Sequence, residues 1–303
     1  GNLDLSKNGY AKIFELGINS PEVLFAVEFK SSVIDHAYDA YVRPSGDTKE
    51  LGKQVYSGFV PTSELVDSYE MAGDGGNFSW EKHGKDPYAN REPRFYATIL
   101  YNGADWMGRK IESFVGGKDG YKAYENAGAA GTTVTGYYLR KYLIDGDKTW
   151  VTSGSGQDWI VLRYAEVLLN KAEALAMENW NKNSAEALQA LNDVRARVGL
   201  PARATADKET FLEYVRHERK VELAGEGFRY WDLRRWRLAE KVIDGQNVHG
   251  VKISKQSDGS FTYEQVDADG GHKRIFYDRY YRFAIPLSER SNNSLCTNND
   301  GWI

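Results

Sequence analysis

Residues 158–243 constrain this chain more than any other stretch, because they alone sustain a helical period over many turns with few glycines. The spacing predicts four helices, at about 158–177, 184–198, 208–224 and 229–243. In the first, Val161, Tyr164, Ala165, Leu168, Ala172 and Leu175 recur at intervals of three and four. Leu162, Leu169 and Ala176 lie beside them, so this helix is expected to be buried on more than one side. Asn183 and Glu186 form a capping box for the second helix. Gly199 suits the left-handed position after its end, Leu200 the apolar contact that follows, and Pro201 forbids continuation.

The third helix carries an oddity. Glu218, Glu222 and Glu226 stand four apart on one face, where like charges repel. If buried, they need cations. The fourth helix offers Arg229, Arg234, Arg235 and Arg237, and Gly225 and Gly227 let the chain turn back between the two groups. The expectation is a helical hairpin stitched by these carboxylate–guanidinium pairs, with Trp231, Leu238 and Val242 facing the core.

The runs LRYAEVLLNKAEAL, RARVGLP and ERKVELAGEGFRYWDLRRW resemble the C-terminal half of SusD/RagB-type proteins. PTSELVDSYEM, EPRFYATILYNG, TGYYLRKYL, RFAIPLSER and the terminal NNDGWI extend the resemblance, in the right order, over roughly residues 22–303. It implies a mainly α fold of TPR-like helical hairpins, an α-α superhelix with short strands and long irregular loops. It also implies a non-catalytic surface lipoprotein of Gram-negative bacteria. Such a protein binds a glycan or other nutrient without a cofactor and delivers it to a TonB-dependent, SusC-like outer-membrane transporter. Family members are much longer and open with a signal peptide and a lipidated cysteine. This chain opens Gly1-Asn2-Leu3 with no charged apolar leader, so residues 1–303 are expected to be one C-terminal unit lacking the family's N-terminal part and its anchor. Two helix pairs are also few for a solenoid, which predicts an exposed apolar face that includes part of residues 161–175.

Around the helices the pattern is different. Helices are expected at 9–16 and 62–69, and strands at 22–29, 94–101 and 134–143. Residues 31–54 read as polar loop with tyrosines, and 145–147 as a turn. Residues 248–254 and 260–266 form a hairpin turning at Asp258-Gly259, followed by a turn at 267–271. Residues 274–285 are β-prone and the tail is coil. Two long aperiodic, glycine-containing stretches stand out, 71–92 and 102–133; loops of that length are usually functional or disordered.

The net charge of −4 gives no basic footprint for nucleic acid, and no run of 18 apolar residues spans a membrane. The single Cys296 rules out an intrachain disulfide and lacks a basic neighbour to activate it. His36, His83, His217, His249 and His272 have no ligand spacing, and Asp267-Ala268-Asp269-Gly270 lacks a full calcium-loop set, so no metal is expected. No nucleophile elbow, phosphate loop or zinc-protease motif is present. The glutamate triplet could be read as glycosidase carboxylates, but carboxylates matched by arginines in a hairpin are structural.

Binding remains. A sugar ring offers an apolar C–H face to an aromatic platform and an equator of hydroxyls to fixed polar groups. With 20 tyrosines and 8 tryptophans the chain can build one. Trp80 and Tyr88 in the first loop, and Trp106 and Tyr121 in the second, are the candidates, with Asn102 and Arg109 as polar partners. Trp80 and Trp106 are expected at one edge, at least one with an exposed ring face. A bare scaffold for the transporter and a carbohydrate-active enzyme stay as alternatives.

Overall fold

The protein is seen as a computed structural model, which describes residues 9–73, 75–127 and 132–302. The opening glycine at residue 1, one residue of the first long loop (74), four of the second (128–131) and the last residue lie outside them.

The first half is a chain of short elements. Helix α1 is Tyr10–Leu16, strand β1 Val23–Val27, α2 Tyr38–Val42, α3 Asp47–Leu51, α4 Ser63–Val66, α5 Trp80–His83 and α6 Pro93–Thr98. Strands β2 (Ile99–Leu100), β3 (Asp105–Trp106), β4 (Arg109–Lys110) and β5 (Tyr138–Leu139) precede helix α7, Trp150–Ser153. Then come β6 (Trp159–Arg163) and the long helices α8 (Tyr164–Ala196) and α9 (Lys208–Glu222). Helices α10 (Phe228–Arg235) and α11 (Ala239–Ile243), hairpin β7 (His249–Lys255) with β8 (Phe261–Asp267), and α12 (Leu287–Asn292) complete the order. Helices predominate, in hairpins of TPR type. Among the described residues the named strands pair only in twos, all antiparallel.

The four-helix core differs from the sequence reading in three ways. Residues 159–163 are not helix: they pair with β1, Val27 opposite Trp159 and Ala26 opposite Ile160. The apolar run of residues 159–162 satisfies a strand as well as a helix, and only the long-range partner decides. Second, α8 is broken at Asn179 (φ −163°, ψ 95°), and the Asn179 side chain, not that of Asn183, accepts from a first-turn N–H, that of Lys182, at 3.2 Å. Asn183 instead donates to the Leu175 carbonyl across the bend, and Lys171 reaches Glu186 at 2.7 Å, so the two halves fold back on each other. Third, the helix expected at 229–243 is interrupted at 236–238, where Arg237 takes φ 55°. The interruption leaves Trp231 and Val242 exposed rather than in the core, while Leu238 packs beside Leu233 and Phe276. The end at Gly199 is as read: its φ is 73° and the Leu200 N–H returns to the Arg195 carbonyl at 3.1 Å. The halves of α8 bury Leu168, Leu169, Ala172, Leu191 and Val194 against Phe211, Leu212 and Val215 of α9.

Elsewhere, residues 93–98 are helical although β-strand was expected, because Pro93 opens a helix at its first turn and Arg94 and Phe95 are drawn inward. Residues 274–285 form coil and a 3₁₀ turn, and 287–292 a helix rather than coil. The β7–β8 hairpin forms in the expected register around Gly259, φ 87°. Leu24, Phe25, Val27, Val161 and Tyr164 are exposed along the β1–β6 ribbon and the start of α8. No helix among the described residues is long and apolar enough to cross a membrane.

Candidate functional site

The glutamate triplet is buried, but its cations come from elsewhere. Arg94 on α6 donates from Nη1 to Glu218 Oε1 at 2.5 Å and to Glu222 Oε2 at 2.8 Å, and from Nε to Glu92 at 2.6 Å. Arg163, closing β6, meets Glu222 at 2.6 Å and Glu226 at 2.7 Å. Arg195 bridges Glu218 (3.0 Å) to Glu70 (2.8 Å), and Lys141 reaches Glu226 at 2.6 Å. Burial alone would raise the Glu222 carboxyl; Arg163 and Arg94 outweigh it and hold it at about 2. The arginines nominated from the sequence do other work. Arg234 donates to the Tyr280 and Tyr281 carbonyls, and Arg235 pairs with Asp232 and Glu173. The Arg229 side chain makes no hydrogen bond or ion pair among the described residues. The reason is geometric: α10 turns its arginines away from the α9 carboxylates, which instead face α6, β6 and the end of α8. This knot ties distant segments together and leaves no open cleft between its carboxylates.

The nominated ligand residues all have partners within the protein. Trp106, fully buried in β3, donates its indole N–H to Asp47 Oδ2 at 3.0 Å. Trp80, half-buried at the start of α5, donates to Asp67 at 2.8 Å and packs edge-on to Phe78. Tyr88 is buried against Tyr101, Phe95 and Tyr137, and Tyr121 and Asn102 are buried as well. Arg109 is claimed by Asp119 (2.6 Å) and Asp47 (2.7 Å); burial would lower its pKa, but the two carboxylates hold it above its ordinary value. Of the two tryptophans, at least one of which is expected to show a ring face, Trp106 is fully buried for a physical reason and Trp80 is half-buried. Regular elements over residues 38–150 are too short to supply a core, so the loops supply it. Asp47 takes the Trp106 indole N–H and Asp67 that of Trp80, which removes the cost of taking these two groups out of water.

What these residues support is an exposed pair that the sequence reading passed over. Tyr41 on α2 and Tyr56 stack with ring centroids 5.1 Å apart and planes 26° apart. Both are exposed, at 46% and 45%, and nearby Phe59 at 64%. Two residues on from Tyr41, Arg43 is wholly buried between the rings of Trp106 and Trp150, its guanidinium 5.2 Å from each centroid. Its Nε donates to Asp39 at 2.7 Å and its Nη2 to the carbonyls of Ile144 and Asp147. Asp47 binds Trp106 and Arg109 at once, and Asp119 binds Arg109 and the Gly46 N–H (2.9 Å). A Cβ on Gly46 would lie 2.5 Å from Asp119 Oδ1, so only glycine lets the chain pass here. The Tyr56 segment is tied to α2 by Tyr56 N–H to Ala40 carbonyl and Gly58 N–H to Tyr41 carbonyl, both 2.7 Å. Ser57 turns the chain at φ 47° and its hydroxyl donates to the Arg43 carbonyl at 2.8 Å.

Beside the pair lies a cavity of about 770 Å³, sharing Ala40 with it and lined by Asp35, His36, Lys53, Trp150 and Thr152. Lys53 is fixed by the carbonyls of Trp150 (2.9 Å) and Val151 (2.8 Å). The buried Trp150 N–H has no acceptor among the described residues. Aromatic faces beside hydroxyl, carboxylate and amine groups can bind a polyhydroxylated ring. The sequence did carry a signal: Tyr38 and Val42, four apart, place Tyr41 off the buried face of a short helix. No group of three or more His, Cys, Asp or Glu among the described residues could hold a metal ion.

Comparison with known proteins adds the family context. The sequence profile of the SusD family matches residues 21–302. SusD-like protein P38 of Formosa agariphila is 32% identical over 133 residues, 41% of this chain and 25% of that protein. A SusD-like protein of Bacteroides fragilis superposes with TM-score 0.77 and 25% identity, over all of this chain and 58% of that one. A SusD-like carbohydrate binding protein of the same species gives TM-score 0.71 and 25% identity, over 95% of this chain and 60% of its own. A laminarin binding SusD-like protein, 23% identical with TM-score 0.55, shares the fold over 97% of this chain and 53% of its own. The chain therefore spans a quarter of the curated relative and less than two thirds of these solved structures.

Proposed function

We propose that this chain, which belongs to the SusD family, is a non-catalytic glycan-binding protein whose ligand rests on the Tyr41–Tyr56 pair. The observation that carries the reading is an exposed, mutually stacked tyrosine pair bolted to a buried Arg43–Trp106–Trp150 sandwich. Large apolar rings are normally left exposed when something else covers them. Holding them still in advance lowers the entropic cost of binding. Stacking supplies the apolar contact, and the cavity lined by Asp35, His36 and Lys53 supplies partners for sugar hydroxyls. The single family unit handles the bound glycan outside the cell, held at the outer membrane by a lipid anchor, and passes it to a TonB-dependent, SusC-like transporter. Two things support this: the family match and the carbohydrate-binding relative among the solved structures.

Affinity electrophoresis through gels containing soluble polysaccharides, laminarin among them, tests the reading. The wild type is expected to be retarded by at least one glycan, without turnover, and Tyr41→Ala to run free. Retardation unchanged in Tyr41→Ala and Tyr56→Ala would move the site elsewhere. Released reducing sugar would make the protein an enzyme.

A further inference from the structure

A second cavity, of about 630 Å³, lies between α4, the turn from α9 into α10, α11 and the start of β7. Its cationic lining is Lys220, Arg229 and Arg274; its anionic lining is Glu64 alone. Glu64 is already satisfied, by the His249 backbone N–H at 3.1 Å and the His249 ring Nδ1 at 2.5 Å. Lys220 is anchored through the Glu64 carbonyl and the Ser68 hydroxyl, neither of which carries a charge. Arg229 and Arg274 have no side-chain hydrogen bond or ion pair among the described residues, and Arg229 is half-buried. The nearest charges of opposite sign to Arg229, Asp232 and Glu213, are engaged with Arg219, Arg235 and Arg216. Leu65, Leu233, Val242 and Ile243 make an aliphatic wall, and Thr62, Tyr230, Gln246, Asn247 and His249 supply polar groups around it.

We propose that this cavity is a separate ligand site for a small amphipathic carboxylate, whose head pairs with Arg229 and whose apolar body lies on Leu65, Leu233 and Val242. A half-buried guanidinium without an anion is costly, and its planar fork matches a carboxylate in two parallel hydrogen bonds. The volume lies within the usual range for small-molecule sites, and an apolar wall with a few convergent charges is their usual lining. Burial, followed by the Arg229 charge, brings the Lys220 ammonium down to about 8, and burial lowers Arg229 too. Both cations are destabilised as they stand, and an anion between them would relieve both. This site shares no residue with the tyrosine platform, so the two readings stand or fall separately.

Isothermal titration of the full chain with octanoate, 1-octanol and sodium sulfate tests it. Octanoate is expected to saturate one site, with octanol and sulfate each at least tenfold weaker. Arg229→Gln is expected to weaken octanoate at least tenfold, and Arg229→Lys to restore part of the loss, with glycan retardation unchanged in both. Exposed Val242→Gln serves as a second variant, expected to weaken octanoate and leave sulfate alone. Equal binding of octanol, equal binding of sulfate, or wild-type octanoate affinity in both Arg229→Gln and Val242→Gln would overturn the proposal.

Discussion

Arginine does two different jobs in this molecule. In the ionic knot, Arg94, Arg163 and Arg195 are buried among carboxylates from separate stretches of chain, at Glu70, Glu92, Glu218 with Glu222, and Glu226, all themselves buried. In the platform, Arg43 is buried just as fully, but between two indoles, and what it holds up is exposed. The knot makes the fold definite by joining α6, β6, α8 and α9; the platform uses that definiteness to hold the proposed binding surface still. The first is a set of charges that fail together if one is removed. The second is a stack whose top layer can be removed without disturbing the bottom.

The largest expected effect comes from breaking the knot. Glu222→Ala leaves Arg163 and Arg94 short of an anion in a dry site and should destabilise by about 3–5 kcal/mol in a denaturant titration. Whatever folds should keep its glycan affinity. Trp106→Ala comes next. It opens a cavity beside Arg43 and takes one donor from Asp47, and should cost about 3 kcal/mol. Unlike Glu222→Ala, it should also weaken glycan binding, because Arg43 loses one of its two rings.

Acid should weaken the knot. The folded Glu222 carboxyl sits at about 2, below its unfolded value near 4.5, and Glu226 and Glu70 are lowered in the same sense. A depressed carboxylate contributes stability above the unfolded pKa and loses it as pH falls toward the folded one. Glu92, pushed up by burial against the pull of Arg94, offsets part of this. Melting temperature should therefore fall steadily from pH 4.5 to 2, with Glu222 alone worth about 3 kcal/mol. A flat profile over that window would show that the pairs are not ionised as drawn.

How far the sequence reached follows the same division. The helical core was legible because periodicity and a glycine stop are local signals, whereas the cap read at Asn183 lies at Asn179. That Glu218, Glu222 and Glu226 need cations was legible too, from their spacing. Which cations was not, because Arg94 and Arg163 lie 124 and 59 residues away from their partners in sequence. The loop tryptophans misled for a definite reason: the absence of a regular element says nothing about burial when a carboxylate such as Asp47 or Asp67 can take the indole N–H. Tyr41 and Tyr56 stand 15 apart in sequence, and the bonds of Tyr56, Ser57 and Gly58 back to Ala40, Arg43 and Tyr41 bring them together. Trp80→Ala sharpens the point. A pinning residue, it should cost about 2 kcal/mol in a thermal melt and leave glycan affinity at the wild-type value.

The most direct test of the platform is a pair of measurements on Tyr41→Ala and Tyr56→Ala. Isothermal titration with the oligosaccharide that retards the wild type should show each variant weaker by roughly 1–3 kcal/mol, which is about tenfold to a hundredfold. Melting curves of the same samples should shift by no more than the loss of one exposed ring stack, within about 1 kcal/mol. Wild-type affinity in both variants, or a stability loss as large as that of Trp106→Ala, would contradict the account.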